Sequence, residues 1–500
     1  MKKAFLWTML ALAILCACSR TEERSVNAAP AAAAANPDAD FDLERFVGSR
    51  YYGVYLGGKR CGRSVMKLEK LQYNDKPAYR TSMEMELNIA VMGASHTMNV
   101  VESTTFYAAG QMAECLSSLG AAGSFHGVVQ GDQIKLTSNL GGAKTERMLP
   151  APTNTLADET AVLRLITGGP AVGDSVDCPT FDATHGRTLK ATATVTAAKK
   201  IPYNGIPTDV YEVSVSIPEM ALNSPMLVGS DAEVLRIELP VGTMKLIMRR
   251  EDEEEAKNSS LKFVEVLGAS MIRPKGKMPD LSKAQSLRLQ LTGITDQECI
   301  INDSRQSYTK TDAGYELLAQ KDTLPEEPAR IPIKEAGVQE FLKATHFYQC
   351  DHPDIVAQAK EIVGDETDAY KASFMICHWV FGNVKKKGTA TISNALETLN
   401  TMEGDCGEHA ALFVGLCRAV GLPARVATGL AYASPYRAFG GHAWCEVYVG
   451  KWISVDPTFG QPLADPGHIK VVAGDGDIDS YRMLGAISKL KITVLPPKEE

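Results

Sequence analysis

Three side chains in the C-terminal third of the chain could together perform covalent chemistry. They are Cys406 in a Gly-Asp-Cys-Gly segment, His442 in a Gly-Gly-His-Ala segment and Asp456 in a Val-Asp-Pro segment. A cysteine thiolate is a nucleophile, a histidine can act as its base, and an aspartate can orient that histidine. We therefore expect a Cys-His-Asp triad that transfers acyl groups through a thioester.

The nucleophile candidate stands where a helix is expected to begin. Asp405 is a good N-cap residue, apolar residues recur at helical spacing from Ala410 to Cys417, and Gly421 can end the helix. A thiol at a helix start is expected to have a lowered pKa, because the helix dipole and free amides favour its thiolate. The same amides could hold a developing oxyanion.

The histidine and the aspartate lie on consecutive predicted strands, and only one turn geometry brings them together. A two-residue turn would send Asp456 to the opposite face from His442. A three-residue loop at 449–451 would instead pair Tyr448 with Trp452 and place both triad residues on one face. We predict the longer loop or an equivalent bulge.

Three further residues are expected to border a substrate cleft. Trp444 alternates with His442 and so shares its strand face, whereas Gly441 would let the backbone approach a substrate closely. Ser393 lies upstream of the nucleophile and can cap a short helix. We expect all three to stand near the reacting atoms.

The pattern along the chain indicates an α+β protein. Strict alternation between about Phe46 and Met271 predicts a mainly antiparallel β domain, and helical spacing begins near Pro353. The predicted order is a signal peptide at 1–18, an Ala/Pro-rich tether at 19–42, the β-rich domain at 43–272, a connecting segment with short strands at 273–345 and an α+β catalytic domain at 346–500.

The N-terminus carries the features of an export signal. Two lysines precede an apolar stretch that is too short to span a bilayer. The following Leu15-Cys16-Ala17-Cys18 resembles the lipobox of bacterial lipoproteins. That resemblance implies lipidation at Cys18 and a bacterial cell-envelope location, anchored to the membrane and facing the periplasm or the exterior. An ordinary signal peptide cleaved nearby is the alternative.

Charge and cysteine usage exclude some other functions. The net charge is -8 and no long basic cluster occurs, which argues against a nucleic-acid partner. Nine cysteines follow Cys18, without a CxxC pair, so neither a disulfide framework nor a zinc site is indicated. We expect no metal and no cofactor, and the sequence leaves the oligomeric state open.

Four motifs resemble those of the transglutaminase-like superfamily: Gly404–Cys406, Leu422–Val426, His442–Val447 and Trp452–Thr458. The resemblance implies a papain-like fold for about the last 150 residues, with Cys406, His442 and Asp456 as the triad. It also implies a protein or peptide substrate. It provides no clear match for a side chain upstream of the cysteine that would complete the oxyanion hole.

The superfamily contains cross-linking enzymes, peptide N-glycanases and bacterial cysteine proteases, so the resemblance leaves several reactions open. Hydrolysis of an amide bond, as in a protease or amidase, is the first expectation. Transfer of the acyl group to an amine, as in protein cross-linking, is an alternative. A catalytically inert envelope scaffold or binding module is the third.

Overall fold

The computed structural model describes residues 41–497 except 92–93, 121–122, 141–142, 221, 242–243, 266–270, 295–296, 328, 388–393 and 475–488. The described chain divides into two compact units: an N-terminal unit that runs to Val264, and a C-terminal unit from Glu265 onward, with which Val91 and Ala94 are also grouped. The predicted signal peptide, the lipidation site Cys18 and nearly all of the tether lie outside the described residues. None of the described helices is both long enough and apolar enough to cross a membrane.

The N-terminal unit is built on one long antiparallel sheet, as the alternation predicts. Buried side chains alternate along several of its strands, as Met83, Met85, Leu87 and Ile89 do. The strands are β1 Gly48–Leu56, β2 Lys59–Tyr73, β3 Lys76–Val91, β4 Ala94–Tyr107, β5 Met112–Ser118, β6 Ser124–Gln130, β7 Gln133–Leu140, β8 Ala143–Pro150, β9 Ser175–Asp177, β10 Thr180–Asp182, β11 Arg187–Leu189, β12 Thr192–Tyr203, β13 Ile206–Ile217, β14 Leu222–Gly229, β15 Val234–Val241, β16 Met244–Glu251 and β17 Val264–Glu265.

In this sheet most neighbouring strands are also consecutive in the sequence. Its strands follow the path β8-β7-β6-β5-β4-β3-β2-β1-β16-β15-β14-β13-β12-β9, β17 pairs with β3, and β10 and β11 form a separate hairpin. Short helices accompany the sheet: α1 Leu156–Glu159, α2 Ala161–Thr167 and α3 Glu253–Asn258. Successive hairpins therefore account for most of this unit, with the pairing of β1 and β16 joining its two halves.

The C-terminal unit contains two four-stranded sheets and a group of helices. Its strands are β18 Ser286–Thr292, β19 Gln306–Thr311, β20 Gly314–Gln320, β21 Lys385–Lys386, β22 Glu403–Gly404, β23 Ala424–Ala433, β24 Ala438–Tyr448, β25 Trp452–Val455, β26 His468–Gly474 and β27 Lys491–Val494. One sheet has the order β19-β20-β18-β27 and the other β25-β24-β23-β26. The helices are α4 Pro353–Val363, α5 Ala369–Asn383, α6 Ala395–Thr401 and α7 Cys406–Ala419.

The segment 273–345 is more than the connection that its sequence suggested. It contributes three strands of the first sheet, and β27 from the C-terminal end completes that sheet. Leu289 and Leu317 from this segment share one hydrophobic core with Phe439 and Ile469 of the second sheet. The segment is thus packed into the C-terminal unit, because its alternating apolar residues need this partner to become buried.

Two local predictions can be compared directly with the structure. The helix expected to begin at Cys406 is confirmed. The cap of the preceding short helix is different: α6 follows Asn394, whose side chain accepts a hydrogen bond from the Glu397 amide. Asn394 is as good a cap as serine and stands one residue nearer the helix. Ser393 itself lies outside the described residues.

The predicted hairpin geometry is confirmed. In the β24–β25 pair, Tyr448 is opposite Trp452 and Cys445 is opposite Val455. The loop therefore spans 449–451, and the Val449 amide donates to the Lys451 carbonyl across it. Continuing the same register places Asp456 beside Trp444, on the face of β24 that carries His442.

The sheet that carries this hairpin tolerates no side chain at Gly429 in β23. A Cβ there would lie 2.0 Å from the Ile469 carbonyl oxygen and 3.0 Å from the Val471 nitrogen, both in the adjoining backbone of β26. We predict that Gly429→Ala lowers the free energy of unfolding of this unit by roughly 1–3 kcal/mol. Urea unfolding followed by tryptophan fluorescence measures this, because Trp379, Trp444 and Trp452 all lie in this unit.

Gly337→Ala is the matched control for that measurement. Gly337 lies in the 3-10 helix Ala336–Leu342 of the same unit, and a Cβ there would meet nothing within 4 Å. Its unfolding midpoint should match that of the wild type. Equal midpoints for both variants and the wild type would contradict the steric argument at Gly429.

Candidate active site

The start of α7 is fixed by a reciprocal pair of caps. The Asp405 side chain accepts from the Gly407 amide at 2.8 Å and also from the Glu408 amide, while Glu408 Oε2 accepts from the Asp405 amide at 2.9 Å. Burial, with the nearby Asp405 carboxylate, raises the pKa of Glu408 to about 7. The cap therefore places Cys406 at the first helical position, where it is partly exposed.

The cap also limits which amides could stabilise an oxyanion. The Gly407 and Glu408 amides donate to Asp405, and the His409 amide donates to the Asp405 carbonyl oxygen. The Cys406 amide is the helix-start N–H that these bonds leave unengaged. We expected several amides of the helix start to serve, but the cap reduces the choice to this one.

His442 is held between the thiol and the carboxylate. It lies on β24, and its side chain is 8% exposed. Its Nε2 stands 2.8 Å from Asp456 Oδ2, and the ring also makes a hydrogen bond with the Cys406 side chain. Because Nε2 is engaged by the aspartate, Nδ1 is the ring nitrogen left for the cysteine.

The charge state of His442 follows from these neighbours. Burial alone would lower the pKa of the imidazole, but the Asp456 carboxylate and the Cys406 side chain outweigh it and raise the pKa to about 10. The ring of Phe459 stacks on the imidazole at 4.5 Å between centroids. The imidazolium is therefore favoured at neutral pH, and an aromatic ring fixes its plane.

Asp456 is fully buried and fully bonded. Its Oδ1 accepts from the Thr458 amide at 2.7 Å and the Phe459 amide at 2.9 Å. Burial would raise the pKa of this carboxyl, but the charges and hydrogen bonds of His442 and His468 hold the pKa well below its usual range. The residue thus remains an anion aimed at the His442 ring.

Two residues at the site were missed by the sequence reasoning. His468 Nε2 lies 2.9 Å from Asp456 Oδ2, and Phe459 covers His442. His468 opens β26, where it alternates with the buried Ile469. This alternation would have indicated a histidine on one strand face. It contains no sign that β26 pairs with β23, which is what brings the ring to Asp456.

The structure describes two of the three cleft candidates. Trp444 is 0% exposed, so it packs beneath the histidines instead of lining an open cleft. Gly441 is partly exposed and lies within β24, where it pairs with Leu430. Ser393 lies outside the described residues. The indole is large and apolar, which explains why it is covered on a strand face between two buried layers.

The histidines and Asp456 also form a group of potential ligand atoms. One such atom from each of His442, Asp456 and His468 lies within 4.8 Å of the others. However, both Nε2 atoms point at the same carboxylate oxygen at hydrogen-bond distance, so each carries a proton there. The contacts of these three residues therefore fit a hydrogen-bonded cluster.

Residues 356–457 match the family model described as the transglutaminase-like superfamily. This span begins in α4 and includes Cys406, His442 and Asp456, and it ends before His468. A transglutaminase-like domain therefore occupies this part of the chain. An uncharacterised protein of Haemophilus influenzae is 34% identical over 100 residues, which cover 19% of this chain and 26% of that protein's length.

Solved structures with similarity to the chain include candidate proteases. A proposed cysteine protease from Cytophaga hutchinsonii is 19% identical, with a TM-score of 0.28, over 41% of this chain and 83% of its own. A proposed protease from Parabacteroides distasonis is 11% identical, with a TM-score of 0.19, over 78% of this chain and 66% of its own. A β-barrel-like protein of unknown function from Brucella abortus is 12% identical, with a TM-score of 0.30, over 41% of this chain and 95% of its own.

Cys406 is partly exposed and lies beside the His442 imidazolium, so we predict that it is alkylated selectively. The other eight described cysteines are buried. We expect iodoacetamide at pH 7 to label Cys406 in the native protein well before these eight, as mapped by peptide mass spectrometry. His442→Gln should slow this labelling at least about tenfold, because the thiolate loses its imidazolium partner.

Labelling in urea is the control, since all thiols should then react at similar rates. The positions outside the described residues, Cys16 and Cys18, are identified by their own peptides. Equal labelling of Cys406 in the wild type and in His442→Gln would show that the histidine does not activate the thiol.

Proposed function

We propose that this protein hydrolyses amide bonds of a protein or peptide through Cys406, His442 and Asp456. The observation that carries the proposal is the position of His442: its pKa is raised by the Cys406 side chain on one side, and its Nε2 lies 2.8 Å from the buried Asp456 Oδ2 on the other. The match of residues 356–457 to the transglutaminase-like superfamily supports it.

The first half-reaction forms a thioester. The Cys406 thiolate attacks the amide carbonyl carbon, and the Cys406 backbone N–H stabilises the oxyanion of the tetrahedral intermediate. His442 then donates its Nδ1 proton to the departing nitrogen as the C–N bond breaks. Asp456 retains its negative charge throughout and holds the ring in place.

The second half-reaction regenerates the thiolate. Neutral His442 removes a proton from water, whose oxygen attacks the thioester carbonyl, and the C–S bond breaks to release a carboxylic acid. The departing sulfur remains a thiolate because the imidazolium has formed again. If an amine entered in place of water, the product would be a cross-linked amide, and this is the outcome that the assay below must separate.

The cellular location that we propose rests on the N-terminal sequence alone. The resemblance of Leu15–Cys18 to a lipobox supports a lipid anchor on Cys18 and a body held at the bacterial cell envelope. We propose that the substrate is a protein or peptide that reaches this surface.

The reaction is tested with fluorescein-labelled casein and a dansyl-labelled primary amine in the same incubation. We expect new peptide termini carrying free acid and little dansyl label in the product. Cys406→Ala should lower cleavage at least about 10³-fold, because no nucleophile remains. Dansyl label in wild-type product would favour amine transfer, and a Cys406→Ala variant as active as the wild type would exclude this mechanism.

The pH dependence of cleavage tests the role of Asp456. The raised pKa of His442, about 10, means that the imidazolium needed for leaving-group protonation survives through neutral pH and is lost only in alkaline solution. Asp456→Asn removes the anion that raises this pKa, while burial continues to lower it. The alkaline limb of kcat should therefore move to lower pH by at least about 1 unit.

Asp456→Asn should also lower kcat itself, by about 10²-fold or more, because the ring loses the charged partner that orients it. Tyr448→Phe is the control, since its hydroxyl contacts Glu335 at the far end of β24. An alkaline limb that stays in place in Asp456→Asn would show that Asp456 does not set the charge of His442.

A further inference from the structure

His468 occupies the opposite side of Asp456 from His442. Its Nε2 lies 2.9 Å from Asp456 Oδ2, the same oxygen that accepts from His442 Nε2 at 2.8 Å. The two imidazoles are 5.8 Å apart between ring centroids, and His468 is 1% exposed. One buried carboxylate oxygen is therefore shared between two histidines, of which the proposed mechanism uses only one.

The other ring nitrogen of His468 also faces only acceptors. Nδ1 lies 3.2 Å from the Asp465 carbonyl oxygen and 3.2 Å from Asp465 Oδ1. Carbonyl and carboxylate oxygens accept hydrogen bonds and cannot donate them. Both sides of the ring are satisfied only if both nitrogens carry protons, so the contacts of His468 fit an imidazolium.

The carboxyl of Asp465 is itself held in its ionised form. Oδ1 accepts from the Gly467 amide at 2.8 Å, and Oδ2 accepts from Gln461 Nε2 at 2.8 Å. Burial would raise the pKa of Asp465, but His468 and these donors lower it. Each Asp465 carboxylate oxygen accepts a hydrogen bond, so the carboxyl carries no proton. The proton in the hydrogen bond between Asp465 and His468 must therefore be on His468 Nδ1.

We propose that His468 is a positioning residue: a lasting imidazolium that clamps Asp456 Oδ2 in the orientation that meets His442. The charges of Asp465, His468, Asp456, His442 and Cys406 then alternate in sign from the interior to the nucleophile. The effect on turnover rests on the proposed function, whereas the charge state and the clamp do not.

The loop between Asp456 and His468 shows why a clamp is needed. Asp456 and Gln461 exchange backbone hydrogen bonds of 2.8 Å, and Gln461 is bonded to Asp465 through its side chain. His468 completes the ring of hydrogen bonds, because its Nδ1 contacts Asp465 and its Nε2 contacts Asp456. Without it, one buried carboxylate oxygen would lose a partner and the loop would lose its closure.

The surroundings of His468 support a positive charge there. The charged groups facing it are the carboxylates of Asp456 and Asp465 and the imidazole of His442, with the Arg305 guanidinium bonded to the Asp465 carbonyl. Burial lowers the pKa of His468, but its bonds to the two carboxylates outweigh that and raise it. The rings of Trp444 and Phe459, at 5.3 and 5.8 Å, complete its walls.

The charge state is tested by NMR of the full chain labelled with ¹⁵N in histidine. The signals of His468 and His442 are assigned by their loss in His468→Gln and His442→Gln. We expect both His468 ring nitrogens to be protonated at pH 8, where an unperturbed histidine, with a pKa of about 6.5, is neutral. A neutral His468 ring at pH 8 overturns the proposal.

Asp465→Asn provides a second test that does not depend on the folding of His468→Gln. The variant keeps the two oxygens near Nδ1, removes the charge, and replaces Oδ2, which accepts from Gln461 Nε2, with an amide nitrogen. We expect the titration of His468 to move at least about 1 unit lower. A midpoint that does not move shows that Asp465 does not hold the charge on His468, and it overturns the alternating arrangement.

The clamp is tested by kinetics on His468→Gln. We expect kcat to fall about 10- to 100-fold with KM unchanged, by analogy with the loss of an outer hydrogen-bond partner that orients a metal-bound histidine. His126→Gln is the matched control, because His126 also contacts a carboxylate, Glu114 at 2.8 Å, but lies in the N-terminal unit. A folded His468→Gln with wild-type kcat overturns the clamp.

Failure of the proposed function would look different. A wild-type protein that cleaves no casein, yet shows a doubly protonated His468 that responds to Asp465→Asn, would contradict amide hydrolysis and leave the charge arrangement standing. Alkylation of Cys406 then replaces turnover as the readout of the clamp, and it should slow in His468→Gln and not in His126→Gln.

Discussion

The C-terminal unit depends on one buried carboxylate. Asp456 is 0% exposed, and an ionised carboxylate at such a position is tolerated only if its oxygens are fully bonded. Two imidazole nitrogens and two backbone amides supply four hydrogen bonds to it. Strands β24 and β26 and the turn after β25 must therefore converge on one point for the carboxylate to stay charged.

The sheet makes room for this convergence through small residues on its middle strand. Gly429 of β23 is opposite His442 on one side and Lys470 on the other, and Ala431 is opposite His468. Directly opposed residues share a face, so the two histidines flank a strip that carries almost no side-chain volume. A side chain at Gly429 would meet the backbone of Ile469 and Val471 in β26.

A second charged group anchors the other end of the same face. Lys470 of β26 is buried between Glu446 of β24 and Asp303, and Arg425 of β23 bonds Glu446 at 2.7 Å. Three strands of the sheet are thus tied by side-chain charges as well as by their backbone ladders. Because Asp303 belongs to the segment before the helices, that segment contributes to the register of the strands bearing the histidines.

The sequence predicts the parts of the site that local rules decide. The helix start at Cys406 follows from its cap, and the loop at 449–451 follows from the alternation of side chains on a strand. The role of His468 depends on which distant strand pairs with β23, and no local pattern contains that information. The burial of Trp444 was missed for the same reason, since the layer that covers it comes from elsewhere in the chain.

Burial also separates Cys406 from the other cysteines in the described part of the chain. Cys417 and Cys445 lie on the same helix and sheet as the triad, but burial raises the pKa of both thiols well above its ordinary value. Each is thereby kept protonated and out of reach, and Cys445 donates a weak hydrogen bond to the Ala410 carbonyl. Among the described cysteines, only Cys406 combines partial exposure with a position at a helix start and a neighbouring histidine.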